Sequence, residues 1–213
     1  HGMHRYMPNA GYPETRAAVA RQLAAETSAP FTEDEIVMCV GAGGGLNVVL
    51  RAILNPGDEI VILTPYFLEY IFYINNHGGT PVIAPCDREF VPDLTVLRDR
   101  ITTRTKAVIV NSPNNPSGAV YSPGFLAELG VVLMEKEAEY KTQIYLVSDE
   151  PYRKVLYDDL VYPHVYPHHT RSIAVTSHSK DLALPGERIG YIAINPRCPD
   201  KEELLNALIF CTR

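Results

Sequence analysis

The sequence predicts an α/β fold: one mainly parallel, seven-stranded sheet with helices on both faces and a last strand that runs antiparallel. Three observations predict it. The β-type runs are nearly continuous in apolar residues rather than alternating, which is the pattern of strands covered on both sides. Most of them are separated by segments of helical spacing, as in repeated strand–helix–strand units. Polar clusters rich in glycine or proline follow several of these runs, at the edge where open α/β sheets bind their ligands.

The first expected helix is "PETRAAVARQLAAET" (13–27), with Pro13 in its first turn and alanine and leucine dominating thereafter. "EIVMCV" (35–40) is a strand that stops at "GAGGG" (41–45). "LNVVLRAIL" then has helical spacing until Asn55-Pro56-Gly57 breaks it. "EIVILT" (59–64) and "TPVIAP" (80–85) are strands, and a polar and helical segment leads to "KAVIVN" (106–111). A helix over 122–140 precedes "IYLVSD" (144–149), and "SIAVTS" (172–177) follows. "IGYIAIN" (189–195) comes with no full helix before it, hence its antiparallel direction. "YPHVYPHH" (162–169) is the one compositionally odd patch. Its proline-broken histidines, without acid or cysteine partners, read as a solvated loop and not a metal site.

The 213 residues allow one large domain or two small ones. A net charge of −6 argues against sequence-independent nucleic-acid binding, and no run approaches a membrane helix in length. Cys39, Cys86, Cys198 and Cys211 show no metal-ligand spacing; free thiols in a reducing, cytoplasmic setting are expected. No signal-peptide pattern is seen, the chain opens on His1, and "LLNALIFCTR" reads as a helix cut short, so a piece of a longer protein is expected.

The chemistry concentrates after four strands. "GAGGG" opens a helix whose free amides could bind phosphate, although taken singly it is a steric turn; it is neither a dinucleotide nor a Walker motif. In "NSPNNPSG", Asn115 either donates to a ligand oxygen or caps its own loop. In "SDEPY", Asp149 ends an apolar strand and needs loop amides or a positive charge; Tyr152 lies within reach of the same ligand. In "SHSK", Lys180 stands beside Ser177 and Ser179 with Arg188 close behind. Two neighbouring cations repel, and a shared anion would resolve that. An amine that shares a pocket with another cation is also a better nucleophile. A phosphorylated aldehyde with a ring nitrogen would use all of these groups: pyridoxal 5'-phosphate.

The motifs resemble fold-type I pyridoxal-phosphate enzymes, and within them the class I/II aminotransferases of the aspartate aminotransferase family. "YMPNAGYPETR", "NPGDEIVILTPYFLEY", "NSPNNPSGAVY", "SDEPYRKVLYD" and "SHSKDLALPGERIGY" carry the resemblance, in the family's order, from Tyr6 to the end of the chain. It implies that Lys180 holds the cofactor as a Schiff base and moves the proton, and that Asp149 keeps the ring nitrogen protonated. Asn115 and Tyr152 would bind the ring hydroxyl oxygen, and Phe67 would stack on the ring. Ser177, Ser179, Arg188 and the amides of Ala42 and Gly43 would bind phosphate. Tyr6 would reach the neighbouring subunit's phosphate, implying a homodimer. Two positions depart from the family. "GAGGG" lacks the hydroxyl or polar side chain often found after the first glycine, and His178 replaces a commonly apolar or aromatic residue.

The resemblance further implies that residues 1–213 form the cofactor-binding large domain, without the family's N-terminal segment or its C-terminal small domain, which carries the substrate-carboxylate arginine. The function implied is amino-group transfer between an amino acid and a 2-oxo acid. A carbon–sulfur β-lyase on the same scaffold and a non-catalytic cofactor-binding module are the alternatives. A nucleotide-binding domain would leave Lys180 and Asp149 unused.

Overall fold

A computed structural model describes residues 6–213. Seven strands form one sheet: β1 (Ile36–Cys39), β2 (Glu59–Leu63), β3 (Thr80–Ala84), β4 (Thr105–Asn111), β5 (Tyr145–Asp149), β6 (Ser172–Ser177) and β7 (Gly190–Ile194). Their spatial order is β1-β7-β6-β5-β4-β2-β3. The pairs from β3 through β6 are parallel, and β7 is antiparallel to both β6 and β1. The antiparallel last strand is therefore as expected, but it lies inside the sheet and leaves β1 at the edge. The segment between β6 and β7 is too short for a helical crossover, so the chain turns back beside β6.

The helices are α1 (Pro13–Thr27), α2 (Gly41–Ile53), α3 (Glu69–Asn76), α4 (Leu94–Arg100), α5 (Pro123–Tyr140), α6 (His178–Asp181) and α7 (Lys201–Cys211). Their ends follow local chemistry. Ser122 accepts from Phe125 N–H ahead of Pro123, Asp93 accepts from the amides of Thr95 and Val96, and α1 closes with Ser28 in the left-handed region. The structure makes "GAGGG" part of α2 rather than a turn before it. Leu46, Val49, Leu50 and Ile53 are buried against the sheet, and that packing outweighs glycine's weak helix propensity.

Alternation along the buried strands builds two cores, one on each face. Val61, Val108 and Leu146 pack with Leu23, Leu97, Leu129 and Leu133 from α1, α4 and α5. Ile60, Ile62, Ile109, Val147 and Val175 pack with Leu46, Leu50, Tyr70, Ile74 and Leu204 from α2, α3 and α7. β2, β5 and β6 are buried along their whole length, whereas β3 at the edge is half-exposed.

The histidine–tyrosine segment is not a solvated loop. Val165 and Tyr166 belong to the core, the Tyr166 ring meets Phe31 edge-on at 4.9 Å, and a ring nitrogen of buried His169 lies 2.8 Å from the Ile144 carbonyl. Asn195 donates to the carbonyls of Tyr166 and His169, which satisfies backbone that would otherwise need water. Burial pushes His164 down to about 4. Among the described residues no helix is long and apolar enough to cross a membrane.

Candidate active site

The carboxyl ends of β4, β5 and β6 and the start of α2 surround a cleft of about 360 Å³. Ala42, Gly43, Phe67, Asn115, Asp149, Tyr152, Ser177, Ser179, Lys180 and Arg188 all line it. Residues spread over nearly 150 positions of the chain thus meet because each ends or follows a strand of one sheet. Tyr6 does not join them: it is fully exposed, beside Met7, Asn9 and Arg213.

Asp149 is the last residue of β5 and 5% exposed. Among the described residues neither loop amides nor a cation meets its carboxylate, contrary to expectation. Its Oδ2 accepts a short hydrogen bond from the Tyr70 hydroxyl of α3, and its Oδ1 is buried with no partner. Burial pushes the carboxyl up to about 6, with the Tyr70 hydrogen bond acting in the opposite direction. A buried acceptor without a donor is costly. A ligand presenting N–H⁺ at that point would satisfy it.

The loop after β4 is held by its own asparagines. Asn111 Nδ2 donates to the Asp149 carbonyl at 2.9 Å, and Asn111 Oδ1 accepts from the Asn115 amide at 2.7 Å. Asn114 Nδ2 donates to the Pro65 carbonyl at 3.0 Å and its Oδ1 accepts from Ser117. These bonds place Asn115 at the cleft while leaving its side chain uncommitted in the described contacts.

Lys180 lies in the short α6 directly after β6 and is exposed, with Nζ 5.6 Å from the centre of the Tyr152 ring. Ser177 is buried opposite Gly190 in the β6–β7 register. His178, one of the two departures, pairs with Asp181 at 3.1 Å. Arg188 has left-handed backbone (φ 53), and its Nη1 donates to the Pro185 carbonyl at 2.9 Å. Its guanidinium lies 2.9 Å from where a Cβ on Gly41 would stand, and Gly41 itself has φ +70. Only glycine suits that backbone and that approach. The arginine is thereby laid against the first turn of α2, where a cation and free amides together favour an anion.

Sequence reasoning missed Tyr70, Asn111, Glu69 and Tyr73. Tyr70 and Tyr73 lie on α3 at a spacing that shares one helix face, a signal present in "YFLEYIFY".

The family model described as aminotransferase class I and II matches residues 1–211. The chain is 39% identical over 194 residues to the aspartate/prephenate aminotransferase of Thermus thermophilus, covering 89% of this chain and 48% of that protein. It is 32% identical over 200 residues to a Bacillus aspartate aminotransferase, covering 91% of this chain and 50% of the relative. An aminotransferase structure from Eubacterium rectale superposes with a TM-score of 0.95 at 38% identity, over 98% of this chain and 53% of the other. The chain spans about half the length of the curated relatives it matches. With the fold, the order of motifs and these matches in agreement, the chain belongs to the class I and II aminotransferase family.

Proposed function

We propose that residues 1–213 are the pyridoxal 5'-phosphate-binding large domain of an enzyme that transfers an amino group between an amino acid and a 2-oxo acid. The observation that carries this reading is the unpartnered, buried Asp149 Oδ1 in the same cleft as Lys180 and Arg188. Those residues fit the group: Asp149 for a ring N–H⁺, Lys180 for an aldehyde, Asn115 and Tyr152 for a ring hydroxyl oxygen. Ser177, Ser179, Arg188 and the amides of Ala42 and Gly43 would take phosphate, with Phe67 against the ring. When bound, the cofactor supplies an electron-withdrawing ring. Lys180 would hold it covalently through Nζ and afterwards move a proton at the substrate's α-carbon. Asp149 would keep the ring nitrogen protonated.

The relatives' names support amino-group transfer over carbon–sulfur cleavage or non-catalytic binding, and make aspartate the donor to try first. The homodimer reading is supported by fully exposed Tyr6 and by the exposed apolar side chains Val40, Leu182, Leu184 and Ile189. Four free thiols support a cytoplasmic setting. Borohydride reduction of the protein with pyridoxal phosphate, followed by peptide mass spectrometry, tests the cofactor. A reduced adduct on Lys180 that disappears in Lys180→Ala is expected. An adduct retained on another lysine would sink the assignment.

A further inference from the structure

The glycine run that opens α2 has no side-chain donor of its own, and the structure brings one from elsewhere. Tyr73, on α3, places its hydroxyl 2.9 Å from where a Cβ on Gly43 would stand, so it occupies the volume that a side chain at position 43 would enter. Tyr73, Gly43, Ala42 and Arg188 line the same cleft. The hydroxyl donates a short hydrogen bond to the carboxylate of Glu69, one turn earlier on α3. Burial, and then that carboxylate, push the phenol up from its ordinary range, so it is a proton donor at neutral pH.

A phosphate over the first turn of α2 would meet this hydroxyl together with the helix amides and the Arg188 guanidinium. It would compete with Glu69 for the same proton. We propose that Tyr73 is a phosphate-binding residue of the cofactor site, supplying from α3 the hydroxyl that "GAGGG" lacks, and that Glu69 is the acceptor from which the anion takes it. The exchange is open to Glu69 because its side chain is exposed and water can replace the lost bond. The assignment rests on reading the cleft as a pyridoxal-phosphate site.

The test compares binding of pyridoxal 5'-phosphate and of pyridoxal, which lacks the phosphate, to the full-length protein and its variants, followed by absorbance. Tyr73→Phe is expected to weaken pyridoxal phosphate roughly ten-fold, the loss of one hydrogen bond to a charged group, and to leave pyridoxal unchanged. Glu69→Gln, at an exposed position, removes a charge beside the phosphate and a stronger rival acceptor. It is expected to tighten pyridoxal phosphate by roughly three-fold, again without effect on pyridoxal. Equal losses for both ligands in Tyr73→Phe, no loss for either, or weaker phosphate binding in Glu69→Gln would overturn the assignment. A wild-type protein that fails to prefer the phosphorylated ligand, or gives no adduct on Lys180, would instead overturn the cofactor reading and this assignment with it.

Discussion

Replacing Asp149 by asparagine should stabilise the protein at neutral pH. The carboxyl is buried at the end of β5 and pushed from the ordinary 3.8 up to about 6, burial being the main cause. The folded chain therefore holds this proton more tightly than the unfolded chain. Below about pH 3 both states are protonated and burial of charge costs nothing. As pH rises from about 4 to 6 the unfolded chain ionises first and folding stability falls, and above 6 the whole cost is present. The gap corresponds to about 3 kcal/mol at about 1.4 kcal/mol per pH unit. An amide carries no charge, but its N–H₂ would replace Oδ1 without an acceptor, which costs about 1 kcal/mol. Asp149→Asn should accordingly gain about 2 kcal/mol at pH 7.5 and lose about 1 kcal/mol at about pH 3. Urea unfolding of the cofactor-free proteins followed by circular dichroism measures the difference at each pH. Glu150, itself pushed up to about 7 by burial, is present in both proteins and largely cancels. A variant less stable than its parent at pH 7.5, or a difference that does not change with pH, would refute the reasoning.

Gly190→Ala would set a Cβ 2.3 Å from the Thr176 carbonyl oxygen and 3.1 Å from Gly41 backbone. A loss of about 3 kcal/mol is expected from such overpacking, read as a lower thermal midpoint by calorimetry. Arg153 is buried, ion-paired with Glu26, and donates to the Tyr191 hydroxyl at 2.9 Å. Arg153→Ala should cost about 3–5 kcal/mol in urea melts above pH 7, where the Glu150 carboxyl it attracts is ionised. That cost should shrink as pH falls through about 7 and Glu150 becomes neutral.

The strands were legible because continuous apolar runs have few alternatives in a chain of this kind, and six-residue stretches such as "SIAVTS" became buried strands end to end. The cleft at the carboxyl ends of the strands was legible because polar clusters repeat after successive strands. Tyr70 was not legible as the partner of Asp149, since the two are 79 positions apart and nothing local in "PYFLEY" announces a buried acid across the sheet. The spacing of Tyr70 and Tyr73 on one helix face was visible, but not that the Tyr73 hydroxyl reaches the glycine run of α2. The absence of a polar side chain in "GAGGG" was visible, but not that another helix fills the place. "YPHVYPHH" was misread because its composition is polar, whereas Asn195 captures its carbonyls and Tyr166 enters the core.

By itself the sequence determined the order of strands and helices, the mixed direction of the last strand and the identity of the groups at the strand ends. These depend on periodicity and on residue type, which are local properties. Only the tertiary structure decided where β7 is inserted, which oxygen of Asp149 is left without a donor, and how Arg188 and Tyr73 converge on the first turn of α2. Those outcomes depend on distances between residues far apart in the chain, and such distances are set by how two apolar faces close on one sheet.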